Sequence, residues 1–149
     1  MRLMLSLIAC VCFSCSSAPE QRLLGAWRSD KDLTLASIEQ VADLSSDERA
    51  SLYDRTLFGQ LVHVWGTRQG ISIFKGECGS PTPYTIRDST SNSITVEYYD
   101  SFYEEAQSKV IYFGVQQIAL PILGGRAREI FIRADLDALK AQYPCLSSF

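Results

Sequence analysis

Hydrophobic and polar positions follow two different periods along this chain. From Gln60 onward they alternate one by one, the pattern of strands with one face buried. Residues 60–65 put Leu61, His63 and Trp65 on one face and Val62 and Val64 on the other. Residues 66–70 read as a turn into a returning strand at 71–75, and 76–83, with Pro81 and Pro83, as a loop. Residues 84–88 and 94–99 read as a hairpin about a polar turn, and 100–107 as an acidic connection. Two apolar strands, 109–116 and 118–123, follow, with Pro121 placing the second at an edge or a bulge. Gly124-Gly125 turns tightly into a last strand, 128–133.

Before Gln60 the spacing is helical. Gly25-Ala26-Trp27-Arg28-Ser29 is strand-like, and Leu33-Thr34-Leu35 reads as its extension. A helix over about 35–42 carries Ile38 and Val41 on one face. A second starts near Ser45, where Glu48 completes a capping box, uses Leu52, Leu57 and Phe58, and stops at Gly59. Asp135 caps a final helix at 136–142, ahead of Pro144 and Cys145. Short turns between consecutive strands predict a mainly β fold. The expected form is an up-and-down antiparallel barrel of about eight strands, with two helices inserted after the first strand and a short C-terminal helix. Such a barrel encloses side chains or one small ligand.

The first residues change the picture of where this barrel works. Met1-Arg2 is a positive start and residues 3–13 are an apolar run broken by Ser6, too short for a membrane span but suited to export. Cys12-Phe13-Ser14-Cys15 and Leu7-Ile8-Ala9-Cys10 both resemble the bacterial lipoprotein cleavage box. Residues 1–15 are expected to be a lipoprotein signal peptide, with the lipid on Cys15 and Cys10 as the alternative. A plain signal peptide cut near Ala18 is the remaining reading. Residues 16–22 would be a tether and 23–149 the barrel domain. The first expected partner is therefore a membrane, reached through acyl chains. Ser16 after the Cys resembles an outer-membrane address, so the expected place is the bacterial cell envelope, facing the periplasm.

Of five cysteines, three fall in the leader. Cys78 and Cys145 are left, and in an exported chain an even pair points to a disulfide worth roughly 4 kcal/mol in the chain-entropy model. Two separate free thiols are the other possibility, while no His near either Cys suggests zinc. The chain has 14 basic and 17 acidic residues, spread without blocks. With no basic stripe to neutralise phosphates, nucleic acid is not an expected partner.

Gly25-Ala26-Trp27 on the first strand and Arg133 at the end of the last strand resemble the lipocalin-like proteins, most of all small bacterial lipocalin-like lipoproteins of uncharacterised function. Those proteins carry Gly-x-Trp on their first strand and an Arg on the last that covers the Trp. The resemblance spans residues 23–133. It implies that Trp27 and Arg133 close the barrel and that Phe131, Arg133 and Glu129 point inward. A polar-lined cavity would then have His63, Trp65, Tyr98 and Tyr112 as neighbours. The chain is shorter than lipocalins and has helices where they have a long loop, which argues against a large cavity.

No catalytic grouping shows. His63 is the only histidine and no Gly-x-Ser-x-Gly elbow is present in the mature part. Glu97, Asp100, Glu104 and Glu105 read as a solvated hairpin end rather than a glycosidase pair. No enzyme activity, cofactor or metal is expected. Two functions compete: an envelope lipoprotein whose barrel binds a small apolar or amphipathic ligand, and a structural or protein-interaction lipoprotein whose barrel is solid.

Overall fold

Alternation along the strands rolls the chain into a closed antiparallel barrel. The computed structural model describes residues 18–54, 58–101 and 103–149. The leader with Cys10 and Cys15, and Leu57 of the second helix's expected stripe, lie outside the described residues. In chain order the elements are α1 (Pro19–Leu23), β1 (Gly25–Ser29), α2 (Lys31–Glu39), α3 (Ser46–Asp54), β2 (Leu61–Trp65), β3 (Gln69–Phe74) and β4 (Glu77–Cys78). They continue with β5 (Thr82–Ser89), β6 (Ser93–Asp100), β7 (Glu105–Phe113), β8 (Gln117–Ile122), β9 (Ala127–Ala134) and α4 (Leu136–Gln142). Eight strands pair around the sheet, and β1 pairs with both β2 and β9, so the sheet closes on itself. The two-residue β4 is an appendage on β3.

The pairing is uneven. The strands β8-β9-β1-β2-β3 form one continuous wall, and β5-β6-β7 a second. The walls join at two seams of only two residue pairs each: Gln69–Pro83 and Gly70–Thr82 between β3 and β5, Tyr112–Ala119 and Phe113–Ile118 between β7 and β8. Pro121 lies beyond the last β7–β8 pair, so its missing N–H removes no ladder bond there.

Trp27, Ile94, Val96, Ile111, Ile118, Leu120 and Phe131 fill the interior. Burying each of these large side chains stabilises the fold by about 1.5–3 kcal/mol. Val62, Val64, Ile71 and Ile73 face outward, yet they are buried beneath Leu139 of α4 and Leu146. The C-terminal helix therefore accounts for the apolar residues on both faces of β2. The Cys78–Cys145 disulfide, across a sequence separation of 67, ties that cover to β4.

Helices close the ends. At one end Ile38, Val41, Leu44 and Leu52 pack on Ala127. Ser45 and Glu48 form the expected capping box, the Ser45 N–H donating to the carboxylate and the Glu48 N–H to Ser45 Oγ. Here α2 takes over from β1, which stops at Ser29. Thr34 Oγ1 and Ser37 Oγ accept the β9 N–H groups of Ile130 and Arg128, both at 3.0 Å. Helix hydroxyls thus complete a ladder that no strand reaches.

Several local expectations are corrected. Leu33-Thr34-Leu35 is helix, not strand, because Asp30 caps the chain there, its carboxylate accepting the Leu33 N–H at 2.9 Å. Residues 19–22, expected as part of a tether, belong to α1, because the end of the barrel offers Leu23 a fully buried site. The acidic connection shrinks to residues 101–104, since Asp100 pairs with Glu105 and β7 begins there. The loop at 76–83 contains β4 and the first residues of β5. Gly124-Gly125 is not a two-residue hairpin: Ile122 pairs with Ala127 around a 3-10 turn at Leu123–Gly125.

Candidate functional site

Where the two walls separate, a pocket of about 150 Å³ opens into the interior. The five-strand wall contributes His63, Trp65, Gly70, Ser72 and Leu120, and the three-strand side contributes Thr82, Tyr84, Tyr98 and Lys109. Alternation places them: His63 and Trp65 point inward on β2 because Val62 and Val64 are taken by the outer cover. Lys109 points inward because Ile111, two residues on, is in the core.

The pocket is aromatic with polar points. His63 Nδ1 and Ser72 Oγ share a hydrogen bond of 2.8 Å, and the His63 ring lies 5.1 Å from Phe131. Burial, and secondly the Lys109 charge, push the His63 pKa down to about 3, so the ring is neutral at physiological pH. Its partial exposure opens on the pocket. Tyr84 stands edge-on to Trp65 at 5.1 Å and donates its hydroxyl to Gly66 O at 2.7 Å. Burial raises the Tyr84 pKa. Lys109 Nζ lies over the Tyr98 ring, 5.4 Å from its centroid. Trp65 Nε1 is the one buried side-chain polar atom without a hydrogen-bond partner among the described residues. A buried donor without an acceptor costs about 1–3 kcal/mol, so this ring is held less well than one whose N–H is bonded.

The α1 end is shut. Trp27 is 3% exposed and donates its indole N–H to Leu23 O at 2.7 Å. The Arg133 guanidinium covers the ring at 3.9 Å and donates to Arg22 O at 2.9 Å and to Leu24 O. Gly25 is required beside it: its φ is +106°, and a Cβ there would meet Arg133 Nη1 at 2.6 Å. Arg22 completes the closure. It donates to Ser91 O at 2.7 Å and to Gly114 O at 3.5 Å, binding α1 to the three-strand wall.

Of the residues singled out from the sequence, His63, Trp65 and Tyr98 meet in the pocket. Phe131 is fully buried and supports His63 from the core. Arg133 belongs to the shut end. Glu129 sits on the barrel interior away from the lining, accepting the Ser29 hydroxyl at 2.6 Å, with its pKa raised by burial. Tyr112 is a correction. It faces outward, its ring 4.1 Å from the Arg128 guanidinium, because the neighbouring Ile111 takes the inward position. Lys109, Tyr84 and Ser72 were not anticipated. Among the described residues no group of three or more His, Cys, Asp or Glu is placed to hold a metal. No helix among them is long and apolar enough to cross a membrane.

Fold and site together define a small closed antiparallel β-barrel, sealed at one end and carrying an internal pocket between its two walls. No family model, no curated protein and no solved structure matches the chain.

Proposed function

We propose that this protein is a lipid-anchored, lipocalin-like barrel of the bacterial cell envelope that holds one small apolar or amphipathic molecule inside. The observation that carries the reading is the pocket of about 150 Å³ between His63, Trp65, Tyr84, Tyr98 and Leu120. A cavity of about that size in a protein core accepts a benzene-sized guest. The sealed Trp27 end gives the pocket a blind interior, as a binding barrel needs. The apolar run at residues 3–13 and the boxes ending at Cys10 and Cys15 support the envelope anchor.

Native mass spectrometry of the detergent-extracted protein tests both parts. The expected spectrum shows an acylated N-terminal cysteine and a small retained mass, lost in Trp65→Ala. An unacylated chain refutes the anchor. Failure of a small apolar dye to bind or be displaced by envelope lipid extract refutes the ligand. A second reading, a protein-interaction lipoprotein, is favoured by Tyr99 and Tyr103, 59% and 66% exposed at the β6–β7 hairpin. Under that reading one specific envelope protein co-purifies, and Tyr99→Ser with Tyr103→Ser releases it.

A further inference from the structure

The pocket carries a chemical preference. Its lining contains a cation, Lys109, and no carboxylate. Among the described residues the ion pairs are Arg87–Glu97, Arg126–Asp43 and Arg126–Glu48. Lys109 has the Tyr98 ring beneath it and is in none of these pairs, its charge acting on Glu129 only from beyond ion-pair distance. In the same lining Ser72 Oγ is bonded to His63 Nδ1 and Thr82 Oγ1 donates to Ser80 O, so their hydroxyls are already engaged. The interior carboxylate, Glu129, is occupied with Ser29 and stands outside it. The lining thus offers one positive charge beside an aromatic interior. That is complementary to a compact apolar body with an anionic oxygen at one end, and it disfavours a purely neutral guest. The volume is too small for a long acyl chain.

Resting on the reading of the pocket as a ligand site, we propose that it binds a small monocarboxylate with an aromatic or equally compact apolar body. The body lies among Trp65, Tyr84, Tyr98 and Leu120, and the carboxylate lies against Lys109. A carboxylate there exchanges water for a charge-assisted hydrogen bond to the Lys109 ammonium at the exposed side of the pocket.

The test titrates the full-length protein with benzoate, with its neutral isostere benzamide, and with toluene. Binding is read from the Trp65 indole N–H resonance. The Trp27 indole N–H, already bonded to Leu23 O, is the internal reference. Benzoate is expected to bind at least about tenfold more tightly than benzamide, the scale of one charged hydrogen bond. Lys109→Gln erases the preference, Lys109→Arg keeps it, and Lys31→Gln, which removes a charge from α2, leaves it unchanged. Equal binding of benzoate and benzamide, or a preference that survives Lys109→Gln, overturns the carboxylate assignment and leaves a pocket for neutral guests. If none of the three, toluene included, moves the Trp65 resonance, the ligand-binding reading falls with it.

Discussion

The barrel holds its two tryptophans in opposite conditions. Trp27 has its N–H on Leu23 O, a guanidinium across its ring, and 3% of its surface exposed. Trp65 has an N–H with no acceptor, lines open space, and belongs to a pocket whose cation lies over a different ring. Both indoles project from strands of the same wall. The difference comes from what stands opposite. At Trp27 the chain itself turns back as α1 and fills the end. At Trp65 the opposing strands β5–β7 reach the wall only through short seams. A side chain whose every valence is met by the protein serves stability, and one whose valences are left open is available to a ligand.

Truncation breaks or sharpens that contrast most directly. Trp27→Ala removes a filled core position and the surface that Arg133 covers, and should cost about 3–5 kcal/mol. Trp65→Ala removes a ring that already borders a void and an unpaired N–H, and should cost only about 1–2 kcal/mol. Urea midpoints at constant m decide it. Equal losses at the two sites would mean that the pocket half is packed as tightly as the shut end.

Acid should attack the pocket half first. His63 is neutral in the fold, with its pKa lowered from 6.5 to about 3. Below pH 6.5 the unfolded chain binds a proton that the fold refuses, so stability falls as pH drops from 6.5 toward 3. The slope approaches about 1.4 kcal/mol per pH unit at most. Glu129 works the other way: its raised pKa makes its protonated form the better fit, so its contribution is lost as pH rises through the folded value. His63→Gln should flatten the acid limb of a stability–pH curve, while Glu129→Gln steepens it by removing the opposing group. An acid limb unchanged in His63→Gln would place the proton-refusing group elsewhere.

The contrast was only half legible in the sequence. Strand alternation after Gln60 is strong enough to read the meander, and Asp135 with Pro144 bounds α4 on both sides. Trp27 and Arg133 were readable as a pair only through the resemblance to lipocalin-like proteins; the reason for Gly25 beside them, a Cβ that would meet Arg133 Nη1, needed the structure. Leu33-Thr34-Leu35 misled because its composition suits a strand, while Asp30 three residues before Leu33 caps a helix. Tyr112 misled because Val110 and Ile111 are both apolar, so the inward face of β7 is ambiguous until packing selects Ile111. That selection brings Lys109 in and turns Tyr112 out. The pocket itself depends on how few residue pairs join the walls, which no local pattern records.

The smallest effect makes the finest comparison, since one methyl group can be added beside each region. In Gly25→Ala the new Cβ meets Arg133 Nη1 at 2.6 Å on a backbone with φ of +106°. Arg133 cannot move without uncovering Trp27 and releasing Arg22 O and Leu24 O, so the cost should be about 1–3 kcal/mol. In Gly70→Ala the new Cβ meets the Trp65 ring at 3.1 Å. That ring has open space beside it and can give by a few tenths of an ångström. The cost should stay below about 1 kcal/mol while ligand affinity falls as the pocket narrows. A Gly70→Ala protein less stable than Gly25→Ala would mean that Trp65 is held as firmly as Trp27. The pocket would then be a rigid void in the core rather than a space kept open for a guest.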